Sequence, residues 1–395
     1  MKTKAKVLLH VSGEVGTKRK NRIFFERKLA ENIRKKIEAK IKRSYGSFLL
    51  EINKEDKEKL KKIPGIAWIA EVREIMPEEI KPKEKDETLK KILQEVFELI
   101  KDKGLDECDV EVRRAWKGFE KTSQQIREEI IKELKEKNLF KPKSKNKIFV
   151  EINKDWIVVY GEREKGVSGL PTGTSGKAVC LLSGGIDSAV AGFLAMKKGL
   201  EVIFVHFHNY HSNDYSLIDQ KIVEIVKVLN QYQLTSLLYI IPLAEAQKEI
   251  IKHIDAKYRY LIYKYFMLKI AEKIAKQNKA EAIVTGDSLG QVASQTLTNI
   301  STLLSHIKIP VLMPLISYSK EEIIDIANKI GTYSLSIIPY SDCCSFMIAR
   351  HPATKINKEN FEKLIKKKKI KKFKKILRDT MKNIRKVVVK NGGSR

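Results

Sequence analysis

The first 165 residues alternate short apolar runs with amphipathic stretches. Within residues 23–41, Phe24, Leu29, Ile33 and Ile37 recur at close to helical spacing, which predicts a helix with one buried face. The same reasoning predicts two more helices, at 87–102 and 123–136, and strands at 5–11, 47–52, 66–72, 109–114, 147–152 and 156–161. This alternation is typical of one small α+β module, or of two that share an interface, and we place them at residues 1–58 and 59–165.

A second pattern begins after residues 166–176, whose sequence GVSGLPTGTSG predicts a linker or hinged loop. Beyond it, helices of 10–20 residues separate strands that are apolar throughout, at 177–182, 202–207, 236–241, 282–285 and 311–315. Strands that are apolar on both faces are typical of buried parallel sheets. We therefore expect a doubly wound α/β domain over residues 177–354, so that the fold class is a multidomain combination of α+β and α/β parts.

Residues 355–395 carry 17 basic and 3 acidic side chains, a net charge of +14. Apolar residues recur near helical spacing, which predicts a basic amphipathic helical tail. Three interpretations stay open: a solvated, partly frayed end, a contact with RNA, or a contact with an acidic membrane surface. The apolar positions are Ile356, Phe361, Leu364, Ile365, Ile370, Phe373, Ile376 and Leu377.

Composition narrows the functional classes. Among 395 residues, 78 are Lys or Arg and 49 are Asp or Glu, a formal charge of +29 that favours a polyanionic partner. A thermophilic or AT-biased origin would explain part of the lysine excess. No apolar run approaches the roughly 18 residues of a membrane span, and the first residues lack a signal peptide's apolar core. Four cysteines are too few for a disulfide scaffold, so we expect a cytoplasmic protein with no membrane partner.

The sharpest local motif is Ser183-Gly-Gly-Ile-Asp187-Ser188, between a predicted strand and a predicted helix. Two glycines let the backbone turn tightly, and the N–H groups of the turn and the helix start form a nest for phosphates. The serines add hydroxyl donors, and Asp187 can hold Mg²⁺ or position a nucleotide. The motif differs from the P-loop, which requires Gly-Lys followed by Ser or Thr. The alternative is a tight strand-to-helix turn without a ligand.

Two later segments add candidate site residues. Gly286, Asp287 and Gln295 follow the predicted strand at 282–285, at the sheet edge where doubly wound folds bind ligands. Gly286 permits close backbone approach, Asp287 can cap the next helix, and Gln295 offers an amide. Residues 319–322, SKEE, form a capping box that predicts a helix from 320 to 330.

These motifs carry a family resemblance. The hexapeptide resembles the pyrophosphate loop of N-type ATP pyrophosphatases, which cleave ATP to AMP and pyrophosphate. In order, SGGIDSAVAGFLAMKKG, VTGDSLGQVASQTLTN, PVLMPLISYSKEEIIDIA, KIGTYSLSIIPYSDCC and HPAT resemble the tRNA 4-thiouridine synthetases (tRNA sulfurtransferases). Upstream, VEVRRAWKGFEKTSQQI is similar to their THUMP RNA-binding domain, and SGEVGTKRKNRIFFERKLAENI to their N-terminal ferredoxin-like domain. The resemblance covers about nine-tenths of the chain.

The resemblance implies a definite reaction. ATP adenylates O4 of uridine at tRNA position 8, and a cysteine persulfide then delivers sulfur, with Asp187 and Cys344 as the catalytic residues and Mg²⁺ bound through ATP. His206 and Phe207 would line the adenine, and Lys264 would meet a phosphate or be a plain surface lysine. The positions matched to ATP binding are Leu181, Leu182, Ser183, Gly184, Gly185, Asp187, Ser188, His206, Phe207, Lys264, Gly286 and Gln295.

The cysteines receive different expectations. Cys344 matches the family's sulfur-handling cysteine, and Cys343 matches a double-cysteine form seen in part of the family. The partner thiol of Cys344 stays open among Cys343, Cys180 and an external thiol, although Cys180 is better explained by strand packing, and Cys108 is expected to be structural. No Cys-x-x-Cys pair occurs, so we expect neither an iron–sulfur cluster nor a metal held by the cysteines.

The expected partners also follow from the resemblance. The chain ends about 50 residues after Cys344, without the rhodanese domain of some members, so a separate sulfur donor such as a cysteine desulfurase, or sulfide, is expected. A homodimer is possible, and a role in thiamine synthesis stays open. The positions expected to contact tRNA are Lys18, Arg19, Lys20, Arg22, Arg113, Arg114 and Lys117, each with ordinary solvated charge as its alternative.

Two rival functions remain at this point. Another ATP pyrophosphatase, such as an amidotransferase-linked synthetase or a tRNA lysidine or 2-thiouridine enzyme, would share the loop but not the DCCSF and HPAT segments. A non-enzymatic RNA-binding protein would bind RNA without forming AMP. The complete pyrophosphate loop favours an enzyme.

Overall fold

The computed structural model describes residues 3–75, 85–209, 216–292, 295–339, 343, 347–366 and 371–390. The chain divides into two compact units, Met1–Gly169 and Leu170–Arg395.

The first unit begins with a sheet whose strands run in the order β2-β3-β1-β4-β9. Strand β1 pairs antiparallel with both β3 and β4, and Leu8 lies opposite Leu49. Alternate residues face opposite sides, so Val7 and Leu9 pack under α2 while Leu8 joins a separate cluster with Trp156. The elements are β1 (Lys4–Val11), α1 (Gly13–Gly16), α2 (Arg22–Lys36), β2 (Ala39–Ser44), β3 (Ser47–Asn53), α3 (Lys57–Lys61), β4 (Ile66–Glu71) and, much later, β9 (Glu164–Lys165).

A four-stranded sheet completes the first unit, in the order β5-β8-β7-β6. Strands β6 and β7 are parallel and the other pairs are antiparallel. Helix α5 starts at a capping box in which Thr122 and Gln125 bond each other's backbone N–H. The elements are β5 (Arg73–Ile75), α4 (Lys85–Lys103), β6 (Asp109–Arg114), α5 (Ser123–Glu136), β7 (Lys147–Ile152) and β8 (Ile157–Tyr160).

The predicted boundary at residue 58 is wrong. Strand β4 hydrogen-bonds along β1, so the first sheet continues to Glu71 and the second begins at Arg73. Sequence spacing alone does not show which sheet a strand will join.

The second unit is the predicted doubly wound domain. Its sheet has the order β14-β13-β10-β11-β12-β15, and every pair is parallel except β12 with β15. Helix α9 packs on the face that carries Val179 and Ile283, whereas Cys180 faces α6. The elements are β10 (Lys177–Leu181), α6 (Ile186–Lys197), β11 (Glu201–His208), α7 (Ser216–Leu229), β12 (Thr235–Pro242), α8 (Ala244–His253), α9 (Ala256–Gln277), β13 (Ala282–Val284), α10 (Leu297–Leu304), β14 (Val311–Leu312), α11 (Lys320–Ile330), α12 (Tyr333–Ser336), α13 (Lys358–Lys366), α14 (Lys371–Lys382) and β15 (Arg385–Lys390).

The basic tail is part of this domain, contrary to the prediction of a separate segment from residue 355. Strand β15 pairs antiparallel with β12 and forms one edge of the sheet. Ile356 and Phe361 are buried in the core beneath α9, and Val389 is 3% exposed. A solvated, frayed end is therefore excluded for these residues, because their apolar side chains are buried.

The Gly-rich segment 166–176 is also more ordered than a linker. The Gly166 N–H donates to the Ala67 carbonyl within the first unit. On the other side of residue 169, the N–H groups of Gly173 and Ser175 both donate to the Gly199 carbonyl. The segment is thus hydrogen-bonded into both units, and the boundary between them falls within it.

Candidate active site

The pyrophosphate-type loop joins β10 to α6, as predicted. Gly184 has φ of +86°, a left-handed conformation that glycine adopts without the strain other residues would incur. The Ser188 hydroxyl lies 3.1 Å from both the Ser183 N–H and the Ser183 hydroxyl, and the Gly185 N–H donates to Ser183 Oγ at 3.2 Å. The two serines therefore fix the loop at the N-terminus of α6, where helix polarity favours anions.

A cavity of about 290 Å³ opens beside this loop. It brings together most of the residues predicted to bind ATP, while Gly184 and Gly185 shape the turn of the loop. Tyr260, Lys264 and Met267 contribute one face of α9, at helical spacing. The lining is Leu181, Leu182, Ser183, Asp187, Ser188, Val205, Phe207, Tyr260, Lys264, Met267, Thr285, Gly286, Asp287, Gln291, Val292, Gln295 and Cys343.

Gly286 packs directly on the backbone of the loop helix. A Cβ at this position would lie 2.8 Å from the Ser188 nitrogen and 2.9 Å from the Asp187 carbonyl carbon. Neither atom can move without displacing the start of α6. Gly286 therefore permits the close backbone approach that the sequence predicted.

A buried polar network forms one wall of the cavity. Asp287 accepts hydrogen bonds from the Lys264 ammonium, from Thr285 Oγ1 at 2.8 Å and from Gln295 Nε2 at 3.1 Å. Burial favours the neutral acid, but the Lys264 charge and the three hydrogen bonds outweigh it and lower the pKa of Asp287. Asp287 is thus an ionised partner of Lys264, contrary to its predicted role as a helix cap. Lys264 is correspondingly not a plain surface lysine.

Lys320 pairs with the loop, which its position in the sequence did not predict. Its ammonium lies 2.6 Å from Asp187 Oδ1. The capping box was predicted and is present, with Ser319 and Glu322 bonding each other's backbone N–H. That box places Lys320 in the first turn of α11, so its place in the helix could be predicted from the sequence. Its contact with Asp187 could not, because only the fold brings α11 to the loop.

His206 does not line the cavity, contrary to expectation. It lies within β11, where alternate residues face opposite sides, and Val205 and Phe207 are the residues that line the cavity. His206 is fully buried, and its Nδ1 lies 2.7 Å from the Leu182 carbonyl oxygen. Because a carbonyl oxygen can only accept a hydrogen bond, Nδ1 carries the proton. Burial lowers the pKa of His206 to about 4, so the neutral ring braces the start of the loop.

The described cysteines occupy different surroundings. Cys343 lines the cavity, and its carbonyl accepts from Gln247 Nε2 at 2.5 Å. Cys180 is in strand β10, and its side chain faces α6. Burial raises the pKa of its thiol to about 12. Cys108 is buried in the first unit, and burial, with the Asp109 charge, raises its pKa to about 11. Cys344, the predicted sulfur-handling residue, lies outside the described residues.

The basic loop of the first unit divides into exposed and packed residues. Arg19 and Lys20 are exposed. Arg22 is buried, with Nε 2.6 Å from Glu26 Oε1 and its guanidinium 3.7 Å from the Tyr45 ring centroid. Lys18 is half-buried, 5.2 Å above the Phe25 ring centroid. Arg22 is predicted to contact tRNA, but in this structure its charge is paired with Glu26 and stacked on Tyr45.

The second predicted basic group behaves similarly. Arg114 donates through Nη1 to the Phe119 carbonyl and so closes the turn after β6. Arg113 and Lys117 are exposed.

Among all described residues, no group of three or more His, Cys, Asp or Glu side chains is arranged to hold a metal ion. No helix within the described ranges is both long enough and apolar enough to cross a membrane.

Two family models match this chain. The ThiI family, described as thiamine biosynthesis protein, matches residues 173–370, and the ThiI ferredoxin-like domain matches residues 6–70. The second range agrees with the part of the first sheet that runs from β1 to β4, to which the short strand β9 is added later in the chain.

Curated relatives and solved structures agree with these matches. A probable tRNA sulfurtransferase from Caldanaerobacter subterraneus subsp. tengcongensis is 38% identical over 88% of this chain and 92% of its own length. Another from Halothermothrix orenii is 35% identical over 89% of this chain and 90% of its own length. The crystal structure of a 4-thiouridine synthetase–RNA complex with bound ATP has a TM-score of 0.85 at 33% identity, covering 98% of this chain and 100% of that one. A structure from Pyrococcus horikoshii Ot3 shares the fold, with a TM-score of 0.59 at 21% identity over 83% of this chain and 99% of its own.

Proposed function

Because this chain belongs to the ThiI family of tRNA sulfurtransferases, we propose that it converts uridine at tRNA position 8 to 4-thiouridine in two ATP-driven steps. The observation that supports this best is the cavity, where the pyrophosphate loop, the Lys264–Asp287 pair and Cys343 face a common space. A phosphate-binding loop and a thiol in one cavity suit a reaction that activates an oxygen with ATP and then replaces it with sulfur.

The first proposed step is adenylation. Uridine O4 attacks the α-phosphorus of ATP, the bond to pyrophosphate breaks, and O4 becomes part of a phosphate leaving group. The loop N–H groups and the hydroxyls of Ser183 and Ser188 bind the phosphates, and Lys320 offsets charge that develops there. Mg²⁺ bound with ATP would neutralise further phosphate charge, and the Asp187 carboxylate at the cavity is a hard oxygen ligand suited to it.

The second proposed step is sulfur transfer. The terminal sulfur of a Cys344 persulfide attacks C4, and AMP departs with O4. A second thiol then attacks Cys344 Sγ, which releases 4-thiouridine and leaves a disulfide that an external thiol reduces. Of the described thiols in this domain, Cys343 lies at the cavity, whereas Cys180 faces α6. The persulfide sulfur comes from a separate donor, such as a cysteine desulfurase.

The first unit supplies the proposed tRNA contacts. Arg19, Lys20, Arg113 and Lys117 are exposed cations suited to phosphates, so binding weakens steeply with salt as counterions are released. Arg22 is instead paired with Glu26, and Arg114 bonds the Phe119 carbonyl in the turn that carries Lys117. We include a homodimer in the proposal, in which one subunit's first unit holds the tRNA modified by the other.

The test is 4-thiouridine formation in unmodified tRNA with protein, ATP, Mg²⁺ and sulfide, followed by the absorbance of the thiouridine. The wild type should form it and Asp187→Ala should not. Cys344→Ser should lose activity with a persulfide donor, and its activity with free sulfide shows whether sulfide bypasses the persulfide. AMP formation without thiouridine would leave the loop chemistry intact and reject the substrate. Absence of both products would reject the proposal.

A further inference from the structure

Three side chains from three consecutive helices donate hydrogen bonds to backbone carbonyls before, at and after Cys343. They are Lys221 from α7, Gln247 from α8 and Arg259 from α9. We refer to these three residues as the carbonyl clamp. Each is far from Cys343 in sequence. Their acceptors are the carbonyls of Ser336 and Ile338, of Cys343, and of Met347.

Lys221 holds the chain before the cysteines. Its ammonium donates to the Ser336 carbonyl at 3.0 Å and to the Ile338 carbonyl at 2.7 Å. The lysine is 8% exposed, so the two bonds lie largely away from solvent. A buried ammonium stabilised by carbonyl oxygens is costly to leave unpaired, which makes this contact a strong constraint on the chain at 336–338.

Gln247 holds Cys343 itself. Its Nε2 donates to the Cys343 carbonyl at 2.5 Å, and the side chain is 1% exposed. The Cys343 carbonyl belongs to the peptide bond that joins Cys343 to Cys344. Gln247 therefore anchors the backbone of Cys343, whose side chain lines the cavity.

Arg259 holds the chain after the cysteines. Its Nη1 donates to the Met347 carbonyl at 2.7 Å, while Nε and Nη2 donate to the carbonyls of Ile254 and Ile251. The guanidinium is thus anchored at the α8–α9 turn and reaches out to one carbonyl of the cysteine segment. Its planar fork allows the three bonds to form together.

We propose that Lys221, Gln247 and Arg259 are positioning residues for sulfur transfer, which hold the described backbone before, at and after Cys343 so that the Cys343 thiol is placed at the cavity for this step. The inference rests on the proposed function. None of the three lines the cavity, so the clamp acts through the backbone that carries the cysteines. Sulfur transfer requires two reacting atoms in register, and a displacement of about 1 Å can slow such a step by about 100-fold. Adenylation takes place at the loop and does not depend on the clamp.

The experiment measures the two steps separately. Gln247→Met removes the donor and keeps the volume. We expect it to release pyrophosphate in a single turnover with tRNA within about 3-fold of the wild-type rate, and to form 4-thiouridine about 10- to 100-fold more slowly. The rate of Cys343 alkylation by iodoacetamide, followed by peptide mass, should rise as the segment loosens.

Gln233→Met is the matched control. Gln233 is also an amide that bridges backbone in this domain, bonding the N–H and the carbonyl of Val202, but it does not touch the cysteine segment. Lys221→Met and Arg259→Met test the other two contacts and should give the same separation of rates, which keeps the test valid if Gln247→Met fails to fold.

The outcomes are distinguishable. Equal loss of both steps in the clamp variants, or the same separation of rates in Gln233→Met, would overturn the clamp. Unchanged thiouridine formation in all three variants would overturn it as well. If the wild type forms no thiouridine, the proposed function fails and the clamp with it. If the wild type is active but pyrophosphate release and 4-thiouridine formation change equally in the variants, only the clamp fails.

Discussion

Lys320 Nζ lies 2.6 Å from Asp187 Oδ1, which joins the first turn of α11 to the first turn of α6 across 133 residues of sequence. Both helix starts carry positive polarity, so the pair places an additional cation beside the loop at 183–188. The pair is partly exposed, at 42% for Lys320 and 27% for Asp187, and its value for folding is small. We infer that its importance is functional.

Removal of the Lys320 charge should therefore impair catalysis with little effect on stability. We expect Lys320→Met to lower kcat/KM for AMP formation by about 100-fold, the scale seen when one preorganised donor is removed from a developing charge. Lys329→Met, in the last turn of the same helix and exposed, is the control. A loss below about 3-fold in Lys320→Met would show that the ion pair has no catalytic part.

Gly286→Ala should disturb the loop. The added methyl would lie 2.8 Å from the Ser188 nitrogen, so the start of α6 must shift. We expect the Kd for ATP, measured by calorimetry, to rise at least 10-fold, and the free energy of unfolding to fall by about 1–3 kcal/mol. Gly13→Ala, where a Cβ meets nothing within 4 Å, should change neither value. Wild-type ATP affinity in Gly286→Ala would contradict the close packing.

His206 should make stability pH-dependent. Burial lowers its pKa from 6.5 to about 4, so between these values the unfolded chain binds a proton that the folded chain does not. Its contribution is fully present above pH 6.5 and is lost as the pH falls towards 4, a change of about 3 kcal/mol. His206→Asn keeps a donor for the Leu182 carbonyl but does not titrate, and urea unfolding from pH 7 to pH 4 should show a shallower acid slope. The exposed His351→Asn should retain the wild-type slope.

The last strand should prove structural. Val389 is 3% exposed and its carbonyl accepts from buried Asn230 Nδ2 at 2.7 Å, whereas its neighbour Val388 is 54% exposed. We expect Val389→Asp to lower the free energy of unfolding by about 3 kcal/mol or more, because it buries an unpaired charge. Val388→Asp should stay within about 0.5 kcal/mol. Equal denaturation midpoints for the two variants would contradict the pairing of β15 with β12.

Local features of the site were predictable because they depend on residues close in sequence. The loop at 183–188 follows from two glycines between a strand and a helix, and the start of α11 follows from the Ser319 and Glu322 capping box. The buried parallel strands were predictable because each is apolar on both faces. The family resemblance predicted the reaction, and the comparisons with known proteins confirmed the family and the multidomain fold.

What the sequence alone determined is many of the helices and strands, the glycine-containing loop at 183–188 and the family of the protein. Tertiary structure decided which residues meet. It directed His206 away from the cavity, since strand faces alternate, and paired Lys264 with Asp287 and Lys320 with Asp187. It also made an edge strand of the basic tail and placed β4 in the first sheet. These outcomes depend on contacts between residues far apart in sequence, whose formation is set by packing of the whole core and leaves no local pattern.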